Sequence, residues 1–491
     1  MALASVCCWG EGVGSRSSGR RLAWLGWAGL GWEEGHLATR KKRKANSNEA
    51  KDPPPPFALP HPRTEQWRAA PNTTSDAPML RLLLWLLLLM RLRWAAAAHA
   101  PRRAGAPRCV PFGVLPHDVM LTERSLPLGP NATGAPRPSR EARLAVWQRD
   151  AEDARGLQGH LGGLARAHCG DLRRQLITDN VGYGFGSVVN SFVKPYTHAV
   201  WHGLTLWSSP LGTYRDQATV LRCATDSFAC WQRPWSACEA LAGAPAARAV
   251  PRMIAENRSL KAYSLMHVGN DADGFPRTVP PPWRRKGHFW FVAQLLARML
   301  LRPNARLAAL LAQTKARMRW AEAPLPVLSL HVRRGDACNA EQQASKKRRC
   351  DDLAGYMPAV EGLAQRFGFR SVFLATDDDE VVAATRAFPQ FTWLVVPGLD
   401  RGATKKLKWE ANLRSHDFDN FAEGQAALVD LLLMAEASGF VGKFTSNLDR
   451  IAYALMAARA GCYPPFHSLD SSWCSDWGRA AGRSTHGTFF C

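Results

Sequence analysis

The stretch Pro326-Val-Leu-Ser-Leu-His-Val332-Arg-Arg-Gly-Asp336 places a short apolar run directly before a cluster of charged side chains. An apolar run of this length predicts a buried strand of a parallel sheet, which ends where the charged residues begin. Two similar runs follow, Ser371-Val-Phe-Leu-Ala-Thr376 and Phe391-Thr-Trp-Leu-Val-Val396. An acidic segment at 377–380 separates them and is predicted to open a helix that runs through Phe388.

The next part of the chain continues this alternation of strand and helix. The pattern predicts an amphipathic helix over Gln425–Ser438, a strand over Gly439–Phe444 and a helix over Ser446–Ala460. Thr445 or Ser446 is suited to cap that last helix, because a hydroxyl oxygen can accept a hydrogen bond from its first turn. Strand and helix alternating in this way predict an α/β fold, with a parallel sheet covered by helices on both faces.

Polar side chains concentrate where the predicted strands end, which is the edge at which such sheets bind their ligands. An arginine that faces a helix N-terminus makes a good diphosphate clamp, because guanidinium and free N–H groups both attract anionic oxygens. A neighbouring carboxylate pair could accept hydrogen bonds from ribose hydroxyls or a guanine edge. Salt bridges at the strand ends are the alternative interpretation. The residues concerned are His331, Arg333, Arg334, Asp336, Asp377, Asp378, Thr445 and Ser446.

A second α/β-like unit is predicted upstream, from about Cys169 to Trp320. It contains a strand beginning at Leu176, the Gly-rich turn Gly182-Tyr-Gly184-Phe-Gly186 and an apolar helix. Glycine allows the backbone to approach a ligand closely, although an ordinary tight turn explains the same pattern.

Met79–Ala100 has the layout of a secretory signal, with a basic residue, an apolar stretch and a small-x-small site before Pro101. An uncleaved single membrane anchor and a buried Leu-rich helix are the alternatives. Residues 1–78 show no periodic apolar pattern. They are interpreted as a disordered tail or as sequence absent from the natural protein.

The cysteines and the net charge also bear on function. Ten of the 12 cysteines follow the predicted signal, an even number that an oxidising compartment favours. No CxxC pair occurs, which argues against a structural zinc site. The net charge of +22 is consistent with anionic ligands and opens a nucleic-acid or polyanion-binding alternative. The predicted signal and the cysteines argue against nucleic acid as a partner.

The organisation predicted from these patterns has six parts. They are a leader at 1–78, a signal peptide or signal anchor at 79–100, a stem at 101–165 with a helix around Arg140–Arg166, an acceptor-side α/β domain at 166–320, a Rossmann-like nucleotide-sugar domain at 321–475 and a tail at 476–491.

Several motifs, taken in order, resemble the α-1,6-fucosyltransferase family and the related bacterial nodulation fucosyltransferases. His331-Val-Arg-Arg-Gly-Asp336 is similar to the family's HxRR-x-D motif, and Leu374-Ala-Thr-Asp-Asp378 to its ATDD segment. The glycine turn at 182–186 matches as well. The other matching segments are Cys230-Trp-Gln-Arg-Pro-Trp-Ser-Ala-Cys238, Ala427-Leu-Val-Asp430, Phe444-Thr-Ser446, Arg450-Ile-Ala-Tyr453 and Phe466-His-Ser-Leu-Asp470.

The resemblance implies a GT-B-like, metal-independent, inverting enzyme that transfers fucose from GDP-fucose to a glycan, with the core GlcNAc of N-glycans as acceptor and α-1,6 as linkage. It implies the Golgi lumen as location, for a single-pass or soluble protein. Arg333 would hold the β-phosphate with support from Arg334, and Glu341 would be the base. Asp336 would complete the catalytic set. The remaining implied donor contacts are His331, Tyr356, Asp377, Asp378, Asp430 and Ser446.

Two features depart from the family pattern on the acceptor side. Ala337 stands where the family usually has a lysine of the acid/base relay, and a basic insert at 346–349 lies between Cys338 and Cys350. Those two cysteines are close enough in sequence to form a local disulfide. Cys169 and Cys238 occupy places that resemble a bridge across the first domain.

Three functional alternatives remain beside the leading one. The enzyme could act on a protein O-linked or polysaccharide acceptor, or the chain could be a lectin-like pseudoenzyme, which Ala337 makes plausible. A non-catalytic basic glycan- or polyanion-binding protein is the third. The run Asp377-Asp-Asp379 also resembles the DxD metal motif of other glycosyltransferases. Its place at a strand end beside arginines favours a donor site without metal.

Overall fold

The computed structural model describes residues 109–115, 120, 123–126, 140–167, 175–177, 184–207, 228–237, 279–335, 338, 350–399, 401 and 419–475. The predicted leader, the signal segment and the tail lie outside these residues. Among the residues described, no helix is both long and apolar enough to cross a membrane.

A five-stranded parallel sheet carries the second half of the described chain. Its strands are β3 (Val327–Val332), β4 (Ser371–Thr376), β5 (Thr392–Val395), β6 (Gly439–Gly442) and β7 (Phe466–Ser468). They lie in the order β5-β4-β3-β6-β7, so the chain starts in the middle, adds β4 and β5 on one side, and then crosses back once to add β6 and β7 on the other. Ladder pairs run from Val327 with Ser371 to Val332 with Thr376 between β3 and β4, so these two strands end side by side.

Helices cover both faces of this sheet, because alternate residues of its central strands are apolar in both directions. Leu328 and Leu330 belong to the apolar cluster on one face, whereas Phe373 and Leu394 belong to the larger cluster on the other. The helices that follow β3 are α6 (Leu353–Phe367), α7 (Asp379–Ala384), α8 (Asn420–Met434) and α9 (Asn447–Ala460).

The upstream part is mainly helical and shares the larger apolar cluster. Its central helix buries all but a few side chains and packs along α9. A two-stranded parallel pair is formed by β1 (Gln175–Ile177) and β2 (Thr205–Trp207). The helices are α1 (Arg140–Leu164), α2 (Phe185–Ser191), α3 (Val193–His202), α4 (Gly287–Leu300), which is the central one, and α5 (Ala305–Arg317).

The structure confirms the predicted α/β class and most of the predicted elements. β4 has the predicted bounds, and Ser446 is the N-cap of α9, with its side chain accepting from Asp449 N–H. The helix predicted over Gln425–Ser438 begins earlier, at Asn420, because Asp419 caps it. It ends at Met434, where the chain turns into β6.

Two disulfides join described cysteines. The Cys338–Cys350 bridge is confirmed, and a second bridge joins Cys109 to Cys462. Beside that second bridge, Val110 and Tyr463 exchange backbone hydrogen bonds of 3.1 and 2.7 Å. The pairing expected for Cys169 and Cys238 lies outside the described residues.

Candidate active site at the carboxyl edge of the sheet

The turn after β3 carries the two arginines. It is fixed to the end of β4, because Arg334 N–H donates to Oδ1 of Asp377 at 2.7 Å. The side chain of Arg334 forms an ion pair with the buried Asp378, with 3.1 Å between Nε and Oδ2. Asp378 also caps α7, because Oδ1 accepts from Glu380 N–H at 2.9 Å. The two aspartates therefore hold the arginine turn in place.

A buried ion pair lies beneath this turn. His331 Nδ1 and Oδ1 of Asp449 are in direct contact, and Oδ2 of Asp449 accepts from Lys443 N–H at 2.7 Å. Burial alone would lower the pKa of His331, but the Asp449 carboxylate raises it above its usual value. Asp449 thus ties the end of β3 to the residue that follows β6.

The N-terminus of α9 points to the same edge. Ser446 caps it, and the first helical residue, Asn447, donates to Ser187 Oγ at 2.7 Å. The two helices approach so closely at this point that a Cβ on Gly186 would lie 2.9 Å from the backbone nitrogen of Leu448. This contact explains the last glycine of the glycine-rich turn, which serves helix packing.

Asp430 on α8 is a carboxyl group within electrostatic reach of Arg401 and His331. Its Oδ1 atom is wholly buried and has no hydrogen-bond partner among the residues that the structure describes. Burial raises the pKa of Asp430 to about 7, although Arg401 and His331 act in the opposite direction. A buried acceptor without a donor is costly, so a bound ligand that donates to it would gain affinity.

A second ion pair at this edge joins Lys443 to Asp351. Lys443 Nζ lies 2.5 Å from Oδ2 of Asp351 and 5.3 Å from the ring centroid of Tyr356. Tyr356 is buried on α6, and burial together with nearby carboxylates raises the pKa of its hydroxyl, which therefore stays protonated. Asp351 directly follows Cys350, so the disulfide to Cys338 and this ion pair fix the base of the loop between them.

The structure thus brings together eight of the residues predicted for donor binding. Each of the eight interacts at the carboxyl edge either with another member of the set or with a neighbour that the members share. They are His331, Arg333, Arg334, Tyr356, Asp377, Asp378, Asp430 and Ser446. Asp336 and Glu341, predicted for the catalytic step, lie outside the described residues, as does Ala337.

Sequence reasoning missed three residues that build this edge. Asp449 occupies the third position of α9, where an acidic residue ordinarily serves the helix terminus, and its pairing with His331 depends on the crossover between β3 and β6. Lys443 lies outside every sequence motif that resembles the family. Arg401 is buried and donates to the carbonyl oxygens of Thr376 and Val396 at 3.1 and 2.8 Å.

The edge combines fixed positive charge with a helix N-terminus, which is the arrangement that binds phosphate groups. Arg333 follows β3 directly, is half-buried, and lies close enough to His331 for its charge to lower the pKa of that imidazole. Within the described parts of the chain, no group of three or more His, Cys, Asp or Glu side chains is arranged to hold a metal ion.

Comparison with known proteins shows which family this region resembles. Residues 284–473 match the family model described as alpha-(1,6)-fucosyltransferase N- and catalytic domains. This match covers the whole five-stranded sheet and confirms the predicted resemblance. The matched region is therefore similar to the catalytic domain of α-1,6-fucosyltransferases.

Solved structures of fucosyltransferases are also similar to this chain. NodZ from Bradyrhizobium shares 14% identity, with 57% of this chain and 92% of that chain covered, at a TM-score of 0.33. POFUT1 in complex with GDP-fucose shares 14% identity over 36% of this chain, at a TM-score of 0.24. This chain spans half of the length of that POFUT1 chain. In another crystal form the coverage of POFUT1 is 98%, with 11% identity and a TM-score of 0.34.

Proposed function

We propose that the protein transfers fucose from GDP-fucose to a glycan, with inversion at the sugar carbon, and that the acceptor is the core GlcNAc of N-glycans with α-1,6 linkage. The observation that carries the donor assignment is the arginine turn after β3, held by Asp377 and Asp378 at an edge that also contains the Ser446-capped N-terminus of α9. The family match over 284–473 supports the reaction class.

In this proposal Arg333 binds one side of the diphosphate, and the N-terminus of α9 binds the other side. Negative charge grows on the diphosphate as the bond to fucose breaks, so fixed guanidinium donors stabilise the transition state more than the ground state. The orphaned Oδ1 of Asp430 accepts a hydrogen bond from the nucleotide sugar. The acceptor hydroxyl attacks the sugar carbon from the face opposite GDP, and Glu341 takes its proton.

The proposed setting is the lumen of the secretory pathway, in the Golgi, with the segment at 79–100 as signal peptide or anchor. Disulfides between Cys109 and Cys462 and between Cys338 and Cys350 support an oxidising compartment.

An acceptor panel tests this proposal. The protein is incubated with GDP-fucose and an N-glycan, a chito-oligosaccharide or a Ser/Thr peptide, and released GDP is measured. We expect release with the N-glycan, with the product linkage read by mass spectrometry. Release with the peptide or the chito-oligosaccharide alone would contradict the N-glycan assignment while keeping the donor. Tight GDP binding without release on any acceptor would indicate a pseudoenzyme.

A further inference from the structure

Four arginines lie together on the helical part of the molecule. Arg298 is in the last turn of α4, and Arg302 follows that helix. Arg233 N–H donates to the carbonyl oxygen of Arg302 at 2.8 Å, which places these two residues side by side. A Cβ on Gly162 would lie 3.6 Å from Nη1 of Arg166 and 3.7 Å from Nη2 of Arg298. We call Arg166, Arg233, Arg298 and Arg302 the arginine cluster.

The cluster has no opposite charge in the described parts of the chain. No carboxylate there lies within ion-pair distance of any of its four guanidinium groups, and Nε of Arg298 and Nη1 of Arg302 are buried without hydrogen-bond partners. Burial and the charges of Arg298 and Arg233 lower the pKa of Arg302. Holding like charges together with unpaired donors destabilises the free protein.

Two partly buried lysines elsewhere in the described chain are neutralised by carboxylates. Lys286 contacts Asp150 and Asp153, with 2.7 and 2.5 Å between the charged atoms. Lys315 pairs with Glu436 at 3.0 Å. The negative end of the α4 dipole accounts for a cation at position 298, but it leaves the buried Nη1 of Arg302 without an acceptor. The arginine cluster therefore lacks the neutralising carboxylate that these two lysines have within the described residues.

We propose that the arginine cluster is a binding site for an oxyanion, a sulfate or phosphate group, separate from the site for the nucleotide sugar. Guanidinium groups match the planar pairs of oxygens that both anions present, and the two unpaired buried donors would be satisfied on binding. The group can come from a sulfated glycan chain or from free phosphate. The inference stands on α1, α4 and the segments at 233 and 302, and it does not require the chain to be a transferase.

Calorimetry on the full chain tests the site, in low-salt buffer without sulfate or phosphate and with GDP at high concentration to occupy the donor edge. The two probes are a heparin-derived hexasaccharide and inorganic phosphate. We expect R298Q/R302Q to bind the preferred probe at least about tenfold more weakly, since each variant removes charge-assisted hydrogen bonds. The matched control R370Q/R386Q removes two exposed arginines near β4 and should bind within about twofold of wild type.

Tighter binding of the hexasaccharide would identify a sulfated glycan as the source, and tighter binding of phosphate would identify the free ion. Equal binding by R298Q/R302Q and by the control, or no binding of either probe by wild type, would overturn the proposal. The thermal midpoint without anion should not fall in R298Q/R302Q, because the variant relieves repulsion. If R298Q/R302Q does not fold, Arg302→Lys is tested in its place. The rise in its thermal midpoint on adding anion should then be smaller than that of wild type.

Failure of this site is distinguishable from failure of the proposed function. GDP binding and GDP release report on the carboxyl edge alone, and both should be unchanged in R298Q/R302Q with a neutral acceptor. A variant that lost GDP binding together with oxyanion binding would show that the two sites are one, which would also overturn the inference.

Discussion

At the scale of single residues, the carboxyl edge is built by pairing almost every charge with an opposite one. Arg334 is held by Asp378, His331 by Asp449 and Lys443 by Asp351. Asp430 is the exception, because its buried Oδ1 has no donor among the described residues. Pairing fixes the side chains before a ligand arrives, and the exception marks a point where the ligand itself must complete the site.

Asp430→Asn should make the ligand-free protein more stable at pH 8 and less responsive to pH. The unfolded carboxyl loses its proton near pH 4, whereas the folded one keeps it up to about pH 7. The unfolded state therefore binds fewer protons between these values, so this group lowers the free energy of unfolding as the pH rises through that range. Above this pH range, the free energy of unfolding of Asp430→Asn should exceed that of wild type by about 2–4 kcal/mol.

Urea unfolding of both proteins at pH 4.5 and pH 8 measures this difference. Glu361→Gln, at an exposed position of α6, is the control and should change neither value appreciably. A stability gain in Asp430→Asn that was the same at both pH values would contradict the raised pKa.

At the scale of elements, the meeting of α2 with α9 sets where the N-terminus of α9 lies. Gly186→Ala should destabilise the fold by about 1–3 kcal/mol, because the added methyl meets the backbone of Leu448, which cannot move aside as a side-chain tip would. The substitution should also weaken GDP binding, since it displaces Asn447 and the cap beside it. Thermal melting and calorimetry with GDP measure the two effects.

A matched glycine lies on α1, where a Cβ at position 159 would meet no atom within 4 Å. Gly159→Ala should stabilise the protein by roughly 0.5–1 kcal/mol and leave GDP binding unchanged, because alanine favours helix. Equal effects of the two substitutions would show that close packing at 186 is unimportant.

The elements themselves were largely predictable from sequence. Val327–Val332 and Ser371–Thr376 are apolar at every ladder position except Ser329, His331, Ser371 and Thr376, so their burial on both faces follows from local pattern. The start of α8 at Asn420 was missed because the apolar period becomes regular only from residue 425, whereas the cap at Asp419 decides the boundary.

The pairings across the site were less predictable. The aspartate pair was expected to contact the nucleotide, and the structure has it holding Arg334, through the backbone and through the side chain. Asp449 and His331 are 118 residues apart in sequence, and they meet only because β3 and β6 are adjacent strands of the sheet. Strand order depends on the whole set of crossovers, so no local pattern contains it.

At the scale of the whole molecule, the segment before α1 is fastened to the end of α9. Phe112 and Leu115 are buried in the large apolar cluster, and the Cys109–Cys462 bridge closes a loop of 353 residues. Replacing both cysteines with serine should lower stability by about 4–5 kcal/mol, because long loops gain most from closure. The Cys338/Cys350 double serine variant removes a bridge with a sequence separation of only 12 and should lose about 3 kcal/mol or less.

Differential scanning calorimetry of the two double variants compares these losses. The second variant should in addition lose turnover with little change in GDP affinity, because its bridge fixes the base of the loop that contains Glu341. A larger loss of stability from the 338–350 pair than from the 109–462 pair would contradict this assignment of roles.

The central claim is that the arginine turn after β3 holds the diphosphate of the nucleotide sugar. The most direct measurement is calorimetric binding of GDP to wild type, Arg333→Ala and the control Arg370→Ala, with melting curves to verify folding. We expect Arg333→Ala to weaken GDP binding by about 100-fold or more at an unchanged thermal midpoint, since a charge-assisted bidentate contact is lost. Wild-type affinity in a folded Arg333→Ala protein would contradict it.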